Sequence, residues 1–597
     1  MDRRRPDHKA VIALPHPWRL HEPTTLSRRT TLKLALQGGL AHTLLTPGLA
    51  ACAGLTTPSF RPEDYGARGD GRSDDLPALR RLFAAASAAS GDIVLGTGKT
   101  YLLNWRARPI DDVLLSLSRG IRIVGNDTTI RIAPGSSGYV AIIGNVSARI
   151  DLTGLSIEGV TFDHGGVQAA GPAPVGNRFG AGVLDHNRGC IYVLHCRQFS
   201  FTDNRVKNSF CTNTIFYSGA GTTSNCSIVR NEFTGIGRHP ARSYHDHSTL
   251  YVTGDDIDIR DNVFEATEWG SEGGVCAIEV HPGSRCLITG NRISAYHTGI
   301  NFAGVHETES ADSAILGNNI TALRRGVAIY SGVYADHRSG TGISRLRVDG
   351  NDIKVRLGEG RGRMSGGGPG AFGIGLVAGA TLPVRDVDIG SDNRIVFEAE
   401  TAASDWDSLP FGAGIAETGG DTLYERVQIG HLLIVNAPVF GLVLGSGGGR
   451  LKDCSVRATR IVNAGSTVRP DSALGSSTYR SALLINPQAI EGTLTVAGLE
   501  IAGGEAAPRL QHAVTIASKT DSRRAQVAID FKLAPGSIAP SAAPVVLHES
   551  SKVVPLILGR QPTRFVPPAS PVAPGSRMLA ADGSFIWTAG GWQQIGA

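Results

Sequence analysis

Along the middle of the chain one pattern recurs: an apolar residue, two residues, Asn, one residue, an apolar residue. It reads Phe201-Asn204-Val206, Ile228-Asn231-Phe233, Ile259-Asn262-Phe264, Ile288-Asn291-Ile293, Ile315-Asn318-Ile320 and Val348-Asn351-Ile353. Ile123-Asn126 begins the series, and Ile157-Val160-Phe162 repeats it without the Asn. From Asn204 the spacings between successive Asn are 27, 31, 29, 27 and 33. A period of about 20–50 residues signals a solenoid. The apolar runs are short, β-branched and punctuated by Gly and Asn, with no helical period, so the coils are β. The pattern predicts a parallel β-helix in which each apolar row stacks on the next. Each Asn sits at a turn, its amide bonding the coils above and below. An antiparallel sandwich would instead need hairpin turns at short spacing and no fixed Asn.

Upstream, Asp64-Tyr65-Gly66-Ala67-Arg68-Gly69-Asp70-Gly71-Arg72-Ser73-Asp74-Asp75 precedes a helix-like run from Leu76 to Ser90, then Gly91-Asp92-Ile93-Val94-Leu95 and Gly98-Lys99-Thr100-Tyr101. This resembles the opening of the pectate-lyase-like superfamily of right-handed parallel β-helices, which reaches here from about Phe60 to beyond residue 500. The resemblance implies an all-β, right-handed parallel β-helix with an N-terminal capping helix. Physically, the helix covers the open end of a solenoid, which would otherwise expose core and strand edge. Asp70, Asp74 and Asp75 are therefore expected as turn and cap residues before metal ligands. Gly96-Thr97-Gly98-Lys99-Thr100 is not a phosphate-binding loop, because Ile93 stands where that motif needs Gly. Arg68-Gly69-Asp70 lies inside the capping motif and is a coincidental tripeptide.

Composition changes the picture at the N-terminus. The chain has 597 residues and a formal charge of +5. Residues 1–51 carry eight Lys/Arg and three Asp/Glu, so the whole excess lies there and the rest is neutral. A neutral body gives no electrostatic reason to bind nucleic acid. Ser27-Arg28-Arg29-Thr30-Thr31-Leu32-Lys33 before an apolar stretch resembles a twin-arginine export signal. Leu49-Ala50-Ala51-Cys52 resembles a lipobox, which implies lipidation of Cys52 and a chain anchored to a membrane without spanning it. The expected location is a periplasmic or cell-surface lipoprotein. The expected divisions are 1–51 signal peptide, 52–60 linker, 61–555 β-helix, 556–575 Pro-rich linker and 576–597 a small C-terminal hairpin around Asp582-Gly583. The seven cysteines after Cys52 form no CxxC pair. Cys226 and Cys286 lie two coils apart, about 10 Å at 4.8 Å per coil, too far to bridge. They read as core residues.

Candidate chemistry follows from alternation. Strand residues point in and out by turns. Aligning Leu250/Val252, Ile278/Val280, Ile300/Phe302 and Val327/Ile329 as inward turns Thr249, Tyr251, Glu279, His281, Asn301, Ala303, Ala328 and Tyr330 outward. Every β-helix has a solvated polar face, but such faces are mostly Ser, Thr, Asn and Lys. Glu, His and Tyr together point to a site. The segments entering these strands carry Arg242, Tyr244-His245-Asp246-His247, then Trp269 and Glu272, then His297, then Arg324-Arg325. His297 and Arg324 each follow their coil's Asn by six residues and should stack. Six of the 17 His fall between positions 239 and 306, which suits proton transfer near neutrality.

His247, His281, Glu279, Asp246, His245 and Tyr244 are thus the candidate catalytic residues. Arg242, Tyr251, Trp269, Glu272, His297, Asn301, Arg324 and Tyr330 are candidates for holding substrate. Lyases and C5-epimerases of uronic acids need a cation at the carboxylate, a base for the C5 proton and an acid, roles that His, Tyr and Arg fill. Tyr244-His245-Asp246-His247 is faintly similar to a segment of alginate C5-epimerases on this fold. Hydrolases need two carboxylates, which Glu272, Glu279 and Asp246 could supply. The Asp set of polygalacturonases is missing where His297 and Arg324-Arg325 stand, and Gly254-Asp255-Asp256 falls at a turn. No metal site is assigned and no cofactor is fixed by the sequence; a divalent cation such as Ca remains open, and His245 and His247 would share one strand face for a divalent metal. The reading is an exported polysaccharide-active enzyme, a uronate lyase or epimerase ahead of a glycoside hydrolase. The alternative is a non-catalytic glycan-binding β-helix, which would present aromatics and few ionisable groups. Fractionation of producing cells checks the export reading. Arg28→Lys with Arg29→Lys is expected to leave precursor in the cytoplasm, and Cys52→Ser to release a soluble form.

Overall fold

The computed structural model describes residues 57–596, except 106–112, 137–138, 148, 167–188, 219–224, 238–246, 268–274, 305–308, 333–341, 358–370, 379–381, 400–410, 418–421, 447–448, 466–480, 504–509, 511, 518–525, 536, 539–544, 548–555, 558–576, 581–582 and 589–590. The signal segment and Cys52 therefore lie outside the described residues. The alternating short apolar runs form parallel strands that recur coil after coil in three sheets. Sheet A runs through Phe199–Thr202, Cys226–Val229, Ile257–Arg260 and Leu287–Thr289. Sheet B runs through Arg205–Lys207, Glu232–Ile236 and Val263–Ala266. Sheet C runs through Gly189–Leu194, Asn213–Ser218, His247–Asp255 and Val275–Ser284. Two 13-residue strands, Arg292–Gly304 and Asn319–Ser331, bend from sheet B into sheet C without a break. Together these make the right-handed parallel β-helix. The inward rows fill one continuous apolar core from Leu76 to Val545. At the far end Val545–Leu547 pairs antiparallel with Arg577–Ala580, which forms a hairpin with Gly583–Thr588.

Helix α1 (Leu76–Ala89) buries Leu79, Leu82 and Phe83 against the first coils. Asp70, Asp74 and Asp75 of the opening motif serve turns, as their positions predict. Asp75 occupies the helix N-cap but turns its carboxylate back to the Arg68 and Gly69 N–H groups. Asp74 accepts from the Leu76 N–H instead. Asp70 accepts from Arg72 and Ser73, and these bonds hold its carboxyl down at about 2.

The Asn ladder runs from Asn204 through Asn231, Asn262, Asn291, Asn318 and Asn351 to Asn393, all buried. Asn262 illustrates the unit. Its Oδ1 accepts from the Asn231 N–H at 2.9 Å and Nδ2 at 2.9 Å, while its Nδ2 donates to the Ile228 carbonyl and to Asn291 Oδ1. Each ladder Asn follows a left-handed residue, among them Asp203, Arg230, Asp261 and Gly290, which turns the chain from sheet A into sheet B. Asn393 extends the ladder beyond the clearly periodic sequence. Asn126 does not belong to it. That residue is exposed, and Thr128, buried on the same turn, bonds the Gly96 carbonyl of the preceding coil instead.

The described cysteines are free and buried, and burial pushes thiols such as Cys211 and Cys286 up to about 12. His164 is also fully enclosed, its Nδ1 3.1 Å from the Tyr139 hydroxyl. Burial lowers its pKa to about 4. Among the described residues no helix is long and apolar enough to cross a membrane.

Two outcomes test this frame. Asn262→Ala strips partners from the Asn231 N–H and the Ile228 carbonyl and should cost about 1–3 kcal/mol, whereas the exposed Asn126→Ala should stay within about ±0.5 kcal/mol; chemical denaturation measures both. Because His164 takes up its proton more readily unfolded than folded, its stabilisation is complete above pH 6.5 or so and is lost as pH falls towards about 4. Its share of the slope is at most about 1.4 kcal/mol per pH unit, and His164→Gln should flatten the unfolding free energy against pH over that window.

Candidate functional site

Of the site candidates, Tyr251, Glu279, His281, Asn301 and Tyr330 come together on the outer face of sheet C, because the register of four successive strands aligns them. Leu250, Ile278, Ile300 and Val327 pair successively from coil to coil, as do Val252, Val280, Phe302 and Ile329. All eight are buried in the core. Between them Tyr251, Glu279, Asn301 and Ala328 form one outward row. His281 follows Val280 and so stands beside Ala303, which pairs with Tyr330. A third row, Ser248–Cys276–Thr298–Arg325, lies on the other side. Thr249 departs from the alternation. It is buried, and its hydroxyl bonds the core Tyr296 hydroxyl at 2.8 Å, because the strand swings inward where it leaves the turn.

Glu279 is the hub. One carboxylate oxygen accepts from the Ser248 hydroxyl, and the other accepts from Asn301 Nδ2 at 3.3 Å and lies 4.0 Å from His281 Nδ1. The Tyr251 hydroxyl and His281 Nδ1 are 3.0 Å apart, their rings edge to face. The Tyr251 ring is stacked on Phe216, at 5.3 Å and 2°, and Phe216 on Tyr192, at 4.6 Å and 10°. These rings spend their faces on one another, so they lock the phenol and leave its hydroxyl aimed at the imidazole. The Glu279 side chain is 14% exposed and that of His281 7%, so both sit where water is largely excluded and electrostatic interactions are strong.

A guanidinium completes the far side. Arg325, 3% exposed, donates to the Tyr330 hydroxyl at 2.5 Å and lies 5.6 Å from the Phe372 ring centre. His297 and Arg324 directly precede the paired Thr298 and Arg325, at an irregularity of the register. His297 is buried rather than displayed, however, its Nδ1 3.3 Å from the Thr298 hydroxyl. Burial, then the positive charges of Arg325 and Arg324, hold its pKa well below the ordinary imidazole value, so it is neutral. Arg324 is half-buried. This polar stretch is bracketed by apolar patches on the same outer face, Val113, Val140 and Tyr192 on one side and Phe372, Phe411 and Phe440 on the other.

Arg242, Tyr244, His245, Asp246, Trp269 and Glu272 lie outside the described residues. The backbone of His247 opens the strand His247–Asp255 and pairs with Val275. Ser248, Thr298 and Arg325 were not singled out as site residues in the sequence. The signal available was their common register, three positions before the Tyr251–Glu279–Asn301 row. Gly254-Asp255-Asp256 lies at a turn as expected, with both carboxylates paired to Arg285. Among the described residues no three His, Cys, Asp or Glu side chains are grouped to hold a metal ion.

No protein-family model matches the chain. Two curated proteins are similar over short segments. Mannuronan C5-epimerase AlgE3 of Azotobacter vinelandii is 30% identical over 135 residues, 21% of this chain and 7% of that protein. Mannuronan C5-epimerase AlgE1 of the same organism is 32% identical over 108 residues, 17% of this chain and 8% of that protein. The similarity thus spans less than a tenth of these relatives' own length. Among solved structures, a mutant tailspike protein of E. coli bacteriophage HK620 in complex with a pentasaccharide superposes with a TM-score of 0.57 at 14% identity, over 83% of this chain and 79% of that one. Another mutant of the same tailspike, in complex with a hexasaccharide, gives 0.57 at 13% identity over 90% and 91%. The chain is therefore a right-handed parallel β-helix, a fold it shares with these tailspike proteins.

Proposed function

We propose that this protein is a polysaccharide-active enzyme that transfers the C5 proton of a uronic acid in a glycan, by β-elimination or epimerisation, on the outer face of sheet C. The observation that carries the reading is the Tyr251–His281 pair, 3.0 Å apart and beside the Glu279 carboxylate. A phenol hydrogen-bonded to an imidazole can pass its proton there and take one from carbon, or give one back. Abstraction leaves negative charge on C5 and the sugar carboxylate, so a cation must face that carboxylate. Arg324 and Arg325 flank the site and pair well with carboxylates. In elimination the C4–O bond then breaks, and the leaving oxygen takes a proton. In epimerisation the proton returns to C5 from the opposite face. The two similar curated proteins are mannuronan C5-epimerases, whose activity is the same class of step. Export by the twin-arginine route and anchoring through Cys52 belong to the same proposal, since a polysaccharide substrate lies outside the cytoplasm.

The hydrolase reading rests on Glu279, a carboxylate enclosed enough to serve as an acid. It needs a second carboxylate, for which Asp246 and Glu272 are the sequence candidates.

Incubation of residues 53–597 with acidic and neutral polysaccharides, reading ultraviolet absorbance of unsaturated uronate, exchange of C5 hydrogen with solvent, and reducing ends, tests the class. Reducing ends without unsaturation or exchange would exclude C5 chemistry. His281→Ala and Tyr251→Phe should each lower turnover by about 10²–10⁴-fold, with His247→Ala acting similarly if its side chain joins them. Glu279→Gln separates the mechanisms. A hydrolase using Glu279 loses nearly all activity, whereas C5 transfer through Tyr251 and His281 retains an appreciable part. Arg324→Ala should raise KM more than it lowers kcat on an acidic polymer.

A further inference from the structure

A second ladder runs along the turn that interrupts sheet A. Asp256, Arg285, Asp312, Arg345, Asp386, Arg426 and Asp453 occupy equivalent left-handed positions on successive coils, acid and base alternating. Arg285 pairs with Asp256 at 2.7 Å, Arg345 with Asp312 at 2.6 Å and Arg426 with Asp386 at 2.6 Å. Asp453 should be followed by another Arg, but the next coil has Gly492, also left-handed. Glycine is not required for that conformation here, since Asp and Arg adopt it on seven coils. Its effect is to leave space. Asp453 leans over Gly492, where a Cβ would collide with its Oδ1, and accepts from the Thr493 N–H at 3.0 Å.

A groove of about 490 Å³ opens at this break, on the outer face of sheet A. Its floor is the outward column Asp388–Gln428–Ser455–Thr495, in register on four successive coils. The same column is not continuously polar elsewhere. Upstream the next member is Arg347, paired to Asp349, and beyond it come Ala314 and Leu287, while downstream stands Ala528. The turn ladder flanks this floor on one side, Asp386 and Arg426 as an ion pair and then Asp453, and Arg457 stands on the other.

We propose that this groove is a second, non-catalytic binding site for a neutral, hydroxyl-rich stretch of glycan lying along the helix axis. Three features point to that ligand. Coils follow one another at about 4.8 Å, close to the rise of one pyranose in an extended glycan, so the column offers one polar side chain per sugar. The floor mixes carboxylate, amide and hydroxyl groups, matching ligands that both donate and accept. With Asp386 and Arg426 neutralising each other, Asp388 and Asp453 outnumber Arg457, which disfavours an anionic sugar. The groove is on a different sheet and does not rest on the C5 chemistry.

Native electrophoresis through gels cast with galactomannan, glucomannan or dextran tests it with the folded protein. The wild type should be retarded by at least one of these polymers. Gly492→Arg, which displaces the Asp453 carboxylate and fills the groove, should weaken that retardation by about tenfold, with a lowered melting midpoint because its Cβ meets Asp453 Oδ1. Gln428→Ala with Thr495→Ala, at positions that leave the core untouched, should weaken it as well and stands in if the arginine variant does not fold. Glu279→Gln should leave retardation unchanged. Failure of all three polymers to retard the wild type, survival of retardation in the folded groove variants, or its loss in Glu279→Gln would each overturn the proposal.

Discussion

From Asn204 to Asn393 each coil of this protein is tied to its neighbour by a buried amide, and the placement of the outward side chains on those coils depends on that tie. A ladder Asn satisfies three needs at once: a carbonyl of the previous coil, the N–H and amide of the previous Asn, and the carbonyl oxygen of the next amide. Buried backbone groups left unpaired are costly, so a coil that slips against its neighbour loses these bonds together. A slip of one residue in a strand would also turn its outward row into the core. The turn ladder therefore sets the register through which Tyr251, Glu279 and Asn301 meet from three coils.

The candidate site is a local exception to the economy of the fold. Elsewhere sheet B's outer face carries exposed ion pairs such as Arg205–Glu232 and Arg394–Asp352, which contribute little to stability. On sheet C a carboxylate, an imidazole and a guanidinium are instead enclosed between apolar patches. Enclosing them costs solvation, which the hydrogen bonds to Ser248, Asn301, Tyr251 and Tyr330 partly offset. The neutral His297 beneath Arg324 and Arg325 fits the same environment, where a further positive charge would be repelled. A stable solenoid of many coils can carry such a strip because each coil contacts mainly its neighbours.

The two arginine settings show how one residue type takes different work from its surroundings. Arg285, Arg345 and Arg426 are exposed, each holding an Asp carboxyl below its ordinary range, chiefly by the side-chain hydrogen bond. Arg325 is buried against aromatic rings and a phenol. Neither setting follows from the residue's own character.

By itself the sequence determined the fold and the outward row. Spacing of the Asn residues predicted the coils, the opening Asp-Tyr-Gly motif predicted the capped end, and two-residue alternation predicted that Leu250 would align with Ile278, Ile300 and Val327. These are periodic or local properties, written into each coil separately. The sequence misplaced Asn126, because a pattern cannot tell a stacked turn from an exposed one, and Thr249, because alternation fails where a strand leaves its bend. It did not disclose the Asp–Arg ladder, whose members differ in type and stand at irregular separations, or the groove at Gly492. Only the tertiary structure decided those, along with the burial of His297 and the bond between Tyr251 and His281. The physical reason is that contacts between coils depend on the length of every intervening insertion, which a local pattern does not record.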